Sequence, residues 1–136
     1  MRNSLPSRRL WSYHPTYEYT LSGNIFTSAT TSQNFTVVNV PAGWAVQSLS
    51  MRLITQFAGV SLAGLVLKMG TSANANIFAP DFSLIQTALP TTVVSYGFVQ
   101  ASTIAHDIIA RFVSTGASIN AINAGKVELT VNIGPV

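Results

Sequence analysis

The sequence predicts an all-β fold: a single-domain β-sandwich, jelly-roll-like, of about seven or eight short antiparallel strands behind an extended N-terminal arm. Three observations predict it. Two segments alternate apolar and polar residues cleanly, as half-buried strands do. Short strand-like runs recur along the rest of the chain, each closed by a turn-forming cluster. The 136 residues suffice for one core and not for two.

The elements follow in chain order. Residues 1–16 form the arm, where Pro6 and Pro15 discourage helix, and residues 17–136 form the body. Strands are expected over 17–26 and 35–40, separated by the polar stretch 28–33 and followed by the turn Pro41-Ala42-Gly43. Next comes the first clean alternation. Leu49, Met51, Leu53 and Phe57 share one face, while Ser50, Arg52 and Gln56 share the other. Further strands fit 62–69, 93–99 and 108–114, with turns at 70–76, 89–91 and 116–125. In the last segment Val127, Leu129, Val131 and Ile133 alternate with Glu128, Thr130 and Asn132.

Residues 102–114 fit two periods. Ile104, Ala105, Ile108, Ile109 and Phe112 match helical spacing, with Ser102 or Thr103 as N-cap and Gly116 beyond the end. The β-branched pair Ile108-Ile109 and the β-rich surroundings favour a strand beginning after Asp107. No internal repeat of solenoid or propeller length is visible.

Composition narrows the function classes. Apolar residues make up 48% of the chain, but charged residues only 8%, where roughly 25% is usual. The polar surface therefore comes from Ser, Thr, Asn and Gln, which hydrogen-bond well and repel nothing. A mean hydropathy of +0.38 agrees. Such a chain is either a membrane protein or a subunit covered by neighbours. The membrane reading fails on length. The most apolar stretch, 57–67, is interrupted by Gly59, Ser61 and Gly64, and a spanning helix needs roughly 20 consecutive apolar residues. The N-terminus has positive charge but no apolar run behind it, so no signal peptide is expected. The absence of cysteine excludes disulfide scaffolds, Cys-based zinc sites and thiol nucleophiles.

The formal charge of +3 sits wholly on the arm, in Arg2, Arg8 and Arg9. Beyond it, Arg52, Lys68, Arg111 and Lys126 balance Glu18, Asp81, Asp107 and Glu128. Trp11, Tyr13, Tyr17 and Tyr19 lie just after the arginines. Arginine interleaved with aromatics suits a protein interface or nucleic acid. Three phosphate contacts would give a salt slope of only about −2 to −3, so nucleic acid is the weaker partner. The candidate partner-binding residues are Arg2, Arg8, Arg9, Trp11, Tyr13 and Tyr17.

Candidate chemistry is sparse. The carboxylates and imidazoles are Glu18, Asp81, Asp107, Glu128, His14 and His106. The acids read as exposed strand-end residues. His106-Asp107 is the single adjacent acid–imidazole pair, but strand neighbours point to opposite faces, which works against a dyad. It reads as a loop-to-strand boundary with Asp107 capping backbone donors. No HExxH motif, P-loop, dinucleotide fingerprint or nucleophile elbow occurs. No catalytic residue, metal or cofactor is therefore expected. Asn34-Phe35-Thr36 matches a glycosylation sequon and reads as the start of a strand. Trp44 could stack on a sugar ring, as in lectin jelly rolls, but reads better as a cover for one end of the core.

The run from Asn34 to Phe57, with FTVVNVPAG and VQSLSMRLITQFAG, resembles small virion proteins of tailed bacteriophages. His106-Asp107-Ile108-Ile109-Ala110-Arg111-Phe112, Thr115-Gly116-Ala117 and Asn123-Ala124-Gly125-Lys126-Val127 resemble the C-terminal part of the same proteins. The resemblance spans roughly residues 20–133 and leaves the basic arm outside. It implies a β-rich structural component of the particle, of the decoration, cement or head-fibre kind, assembled in the host cytoplasm.

The expectation is thus a non-enzymatic protein decorating or cementing a phage capsid, self-associating, with its arm docked onto the major shell protein. A tail, neck or fibre component is the alternative within the virion. A carbohydrate-binding module using Trp44 and the tyrosines is the alternative from another class.

Overall fold

A computed structural model describes residues 16–79, 81–86, 91–96 and 104–135. Among the described residues eight strands form two antiparallel four-stranded sheets: β1 (Thr16–Ser22), β2 (Ser32–Val40), β3 (Trp44–Gly59), β4 (Gly64–Gly70), β5 (Phe82–Ser83), β6 (Thr91–Tyr96), β7 (His106–Thr115) and β8 (Ile122–Pro135). The front sheet runs β1-β8-β3-β6 and the back sheet β2-β7-β4-β5. The first strand pairs with the last, the second with the seventh, the third with the sixth and the fourth with the fifth. That order results when a chain doubles into one long hairpin and winds up, successive strand pairs falling on alternate sheets. It is the jelly-roll order.

The alternations explain which faces meet. Leu49, Met51, Leu53 and Phe57 of β3 and Val127, Leu129, Val131 and Ile133 of β8 are all buried. They face Leu65, Leu67 and Met69 of β4 and Ile108, Ala110 and Phe112 of β7, in one continuous core. β3 and β8 form its spine: Leu53 pairs with Val127 and Met51 with Leu129. At one end Phe26 packs edge-on against Phe35, Phe57 and Phe112, at ring separations of 6.0, 6.1 and 4.9 Å. Such edge-to-face contacts add to the stabilisation from area burial alone.

Several boundaries differ from the sequence expectation. β1 stops at Ser22 rather than 26, because Gly23 lies against the Ala124 backbone and donates its N–H to the Gly125 carbonyl at 3.0 Å. Residues 116–125, read as one turn, instead hold a 3-10 turn at Ile119–Ala121 and the first four residues of β8. Turn-forming Asn123 and Gly125 are drawn into the ladder by the long partner strand β3, which pairs Ala58 with Ala124. Long-range pairing overrides local propensity there. β5 has two residues, too few to show a period in sequence. β7 is a strand, resolving the 102–114 ambiguity, and starts at His106. Of the expected strand 93–99, residues 97–99 lie outside the described residues, as do 89, 90, 102 and 103.

One irregularity positions much of the back sheet. β2 carries a bulge between Thr36 and Val38. A bulge shifts the side-chain parity of everything beyond it. Asn34 and Thr36 are exposed before it, and Asn39 is exposed after it, while Val38 and Val40 turn into the core. The freed Val37 carbonyl accepts a hydrogen bond from the Tyr19 hydroxyl. That bond ties edge strand β1 to edge strand β2 across the two sheets.

Candidate functional site

Of the candidate interface residues, Arg2, Arg8, Arg9, Trp11 and Tyr13 lie outside the described residues, and so does His14. Tyr17 lies in β1 opposite Val131, half-buried against the core. β1 starts at Thr16, which pairs with Asn132, and forms a free edge of the front sheet.

The structure distributes the body charges evenly over the two outer sheet faces. On the front face, Arg52 and Glu128 sit in register on β3 and β8 and form an ion pair at 3.5 Å. Both are about half exposed (side chains 49% and 44%), so the pair contributes little to stability. Glu18 stands exposed opposite Thr130, and Asn132 donates to the Thr16 hydroxyl at 2.7 Å. Ser48, Ser50 and Thr130 add further hydroxyls to this face.

On the back face, Lys68 sits in register with Arg111. Two cations side by side repel, and the structure relieves this through Asp81, whose carboxylate oxygens accept from Lys68 at 2.9 and 3.0 Å. The hydrogen bonds from Lys68 and then Asn76 hold the Asp81 carboxyl below its ordinary pKa. Arg111 instead donates from Nε to Asn34 Oδ1 at 2.9 Å. Along β7, Asp107 accepts from Asn39 Nδ2 at 3.0 Å. Val66, Ile109 and Val113, all half-buried, fill the surface between these polar groups.

This corrects two readings of the acids. Asp107 is the second residue of β7, at the expected loop-to-strand boundary, but it accepts from an asparagine side chain rather than capping backbone donors. Glu18 and Glu128 stand mid-strand, not at strand ends. His106 does point away from Asp107: it is half-buried while Asp107 is exposed, so the adjacent pair forms no dyad. Among the described residues no group of three or more His, Cys, Asp or Glu side chains could hold a metal ion. Asn34 is the third residue of β2, in keeping with its reading as a strand start. Trp44 opens β3 opposite Pro135 and packs, partly buried, against the core.

The coupling of Arg111 to Asn34 and of Asp107 to Asn39 escaped the sequence reading. Those residues lie 77 and 68 positions apart, and the β2 bulge between the two asparagines lets both face outward.

Comparison with known proteins places the fold. No family model matches the chain, and no curated protein matches it. Among solved structures, it is similar to a chain of the cyanophage Pam1 capsid asymmetric unit. The TM-score is 0.66 at 16% identity, covering 100% of this chain and 94% of that one. It is also similar to a chain of the acidic stable capsid structure of Helicobacter pylori bacteriophage KHP30. There the TM-score is 0.57 at 14% identity, covering 89% of this chain and 86% of that one. At such identities the likeness is one of fold, and function has to be argued separately.

Proposed function

We propose that this protein is a non-enzymatic structural component of a phage particle, a subunit that decorates or cements the capsid. The observation that carries the reading is the fold likeness over 100% of this chain and 94% of a chain in a phage capsid. It bears on the same assignment as the residue-level resemblance of the Asn34–Phe57 and His106–Val127 segments. The surface chemistry supports it too. Among the described residues each outer face carries two cations and two anions, set among hydroxyl, amide and aliphatic side chains. A free monomer of this kind lacks the charge repulsion that usually keeps proteins apart. A subunit with neighbours on several sides does not need it.

In this reading the arm makes the attachment to the major shell protein. Arg2, Arg8 and Arg9 form charge-assisted hydrogen bonds with shell carboxylates. Trp11, Tyr13 and the exposed part of Tyr17 bury aromatic area, the residue types most enriched at interface hot spots. The test is a truncation lacking residues 1–15. The cut falls just before β1, so circular dichroism and thermal melting are expected to match the full chain. Occupancy on particles stripped of the protein is expected to fall by at least about tenfold, the loss of a single modest hot spot. Equal occupancy by the truncated chain would move the attachment surface onto the sandwich.

A further inference from the structure

We infer that the outer face of β2 and β7 is a self-complementary contact surface for a second copy of this chain, centred on Ile109. The outward residues of β7 are Asp107, Ile109, Arg111 and Val113. Asp107 and Arg111 carry opposite charges and stand two positions to either side of Ile109. With a strand rise of about 3.3 Å, each lies roughly 6.6 Å from Ile109 along the strand.

Both charges are held in place and left unspent. Asn39 donates to Oδ1 of Asp107, and Nε of Arg111 donates to Asn34. The two asparagines lie directly across on β2, in register with the groups they hold. Among the described residues, Oδ2 of Asp107 and the two terminal nitrogens of Arg111 make no further hydrogen bond. Among the described residues the ion pairs are Arg52–Glu128 and Lys68–Asp81, so neither Asp107 nor Arg111 is paired with an opposite charge there. Lys68, the nearest cation to Arg111, is already taken by Asp81. The ground between is apolar or small: half-buried Ile109, with Thr36 opposite on β2, and Val113 beside Val66 of β4. The Asn74–Ala75 backbone crosses over Gly70 and bounds the strip on the β4 side.

This pattern chooses its partner. A two-fold axis lying between two such faces, perpendicular to β7 and passing over Ile109, sets the two β7 strands antiparallel. Asp107 then faces the second copy's Arg111, Arg111 faces the second copy's Asp107, and the two Ile109 side chains meet on the axis. Such reciprocity, residue i against j and j against i, defines a two-fold contact. Packing the same faces with parallel β7 strands would set like charges opposite one another, which costs several kcal/mol across an interface. A foreign partner gives no reason for charges balanced about a central isoleucine.

Sedimentation of the purified full-length chain tests this without any particle, so its outcome is independent of the virion reading. The wild type is expected to dimerise between about 1 and 100 µM, the range of modest affinities. Asp107→Arg and Arg111→Asp each place like charges opposite and are expected to weaken dimerisation by at least about tenfold. The double variant exchanges the two charges and is expected to recover wild-type association. Asp107→Asn and Arg111→Gln remove charge with little change of shape. They are expected to weaken association too, and they serve should a reversal disturb the fold by circular dichroism. A monomeric wild type, single variants that associate normally, or a double variant as weak as the singles would each overturn the inference. The last would show that these charges meet a different surface.

Discussion

Gly125→Ala is expected to destabilise the protein by roughly 2–6 kcal/mol, combining the costs of overpacking and of a disfavoured backbone conformation. Gly125 sits in β8 with φ at +126°, a region that L side chains rarely adopt. A methyl there would lie 2.6 Å from the Phe57 Cα and 2.7 Å from its Cδ1. Phe57 cannot easily yield, because it is buried in the aromatic cluster with Phe26. Gly43 supplies the control. Its φ is +82°, yet a methyl on its Cα would meet nothing within 4 Å. Gly43→Ala is therefore expected to cost only the conformational part, about 1 kcal/mol. The difference between the two variants in urea denaturation isolates the collision with Phe57. Equal costs would mean that the close approach contributes nothing.

Leu53→Ala is expected to cost about 2–5 kcal/mol, a large fraction of a stability that ordinarily totals about 5–15 kcal/mol. Leu53 is fully buried in the middle of β3, with Thr91 of β6 on one side and Val127 of β8 on the other. Strands on both sides restrain the backbone from collapsing into the space left behind, which favours the upper part of the range. A loss below about 0.5 kcal/mol, as at surface positions, would show that the inward and outward faces of β3 had been exchanged.

These two residues mark what sequence does and does not disclose. The burial of Leu53 is legible because its strand obeys period two for long enough to separate the faces. Val127 to Ile133 is legible for the same reason. Gly125 looks like punctuation in a loop, and its position inside β8 depends on β3, more than sixty residues earlier in the chain. The surface features divide in the same way. The neutrality of the body and the concentration of charge on the arm can be counted from the sequence. That Asn39 faces outward to hold Asp107, as Asn34 does to hold Arg111, depends on one extra residue in β2, which flips the side-chain parity after Thr36. No local pattern announces a bulge among Thr36-Val37-Val38, because either valine could point inward.

The fold also shows how the sheet edges are restrained. Edge strands invite unwanted pairing. β5 is cut to two residues, and β2 is bulged. β1 is regular, and the Tyr19–Val37 bond fastens it to the back sheet. The arm precedes this regular edge directly. Shell attachment and the β1 edge are therefore mechanically joined in the proposed arrangement.

The proposed role as a structural subunit of a phage particle is measured directly by the copy number of this protein in purified particles. Particles of the phage that encodes it, washed free of unassembled protein, can be quantified by mass spectrometry against the major shell protein. A fixed stoichiometric ratio set by the capsid lattice is expected, retained through gradient purification. The few copies of a tail ring would retain the virion role but contradict capsid decoration. Absence from the particles would contradict the structural role altogether.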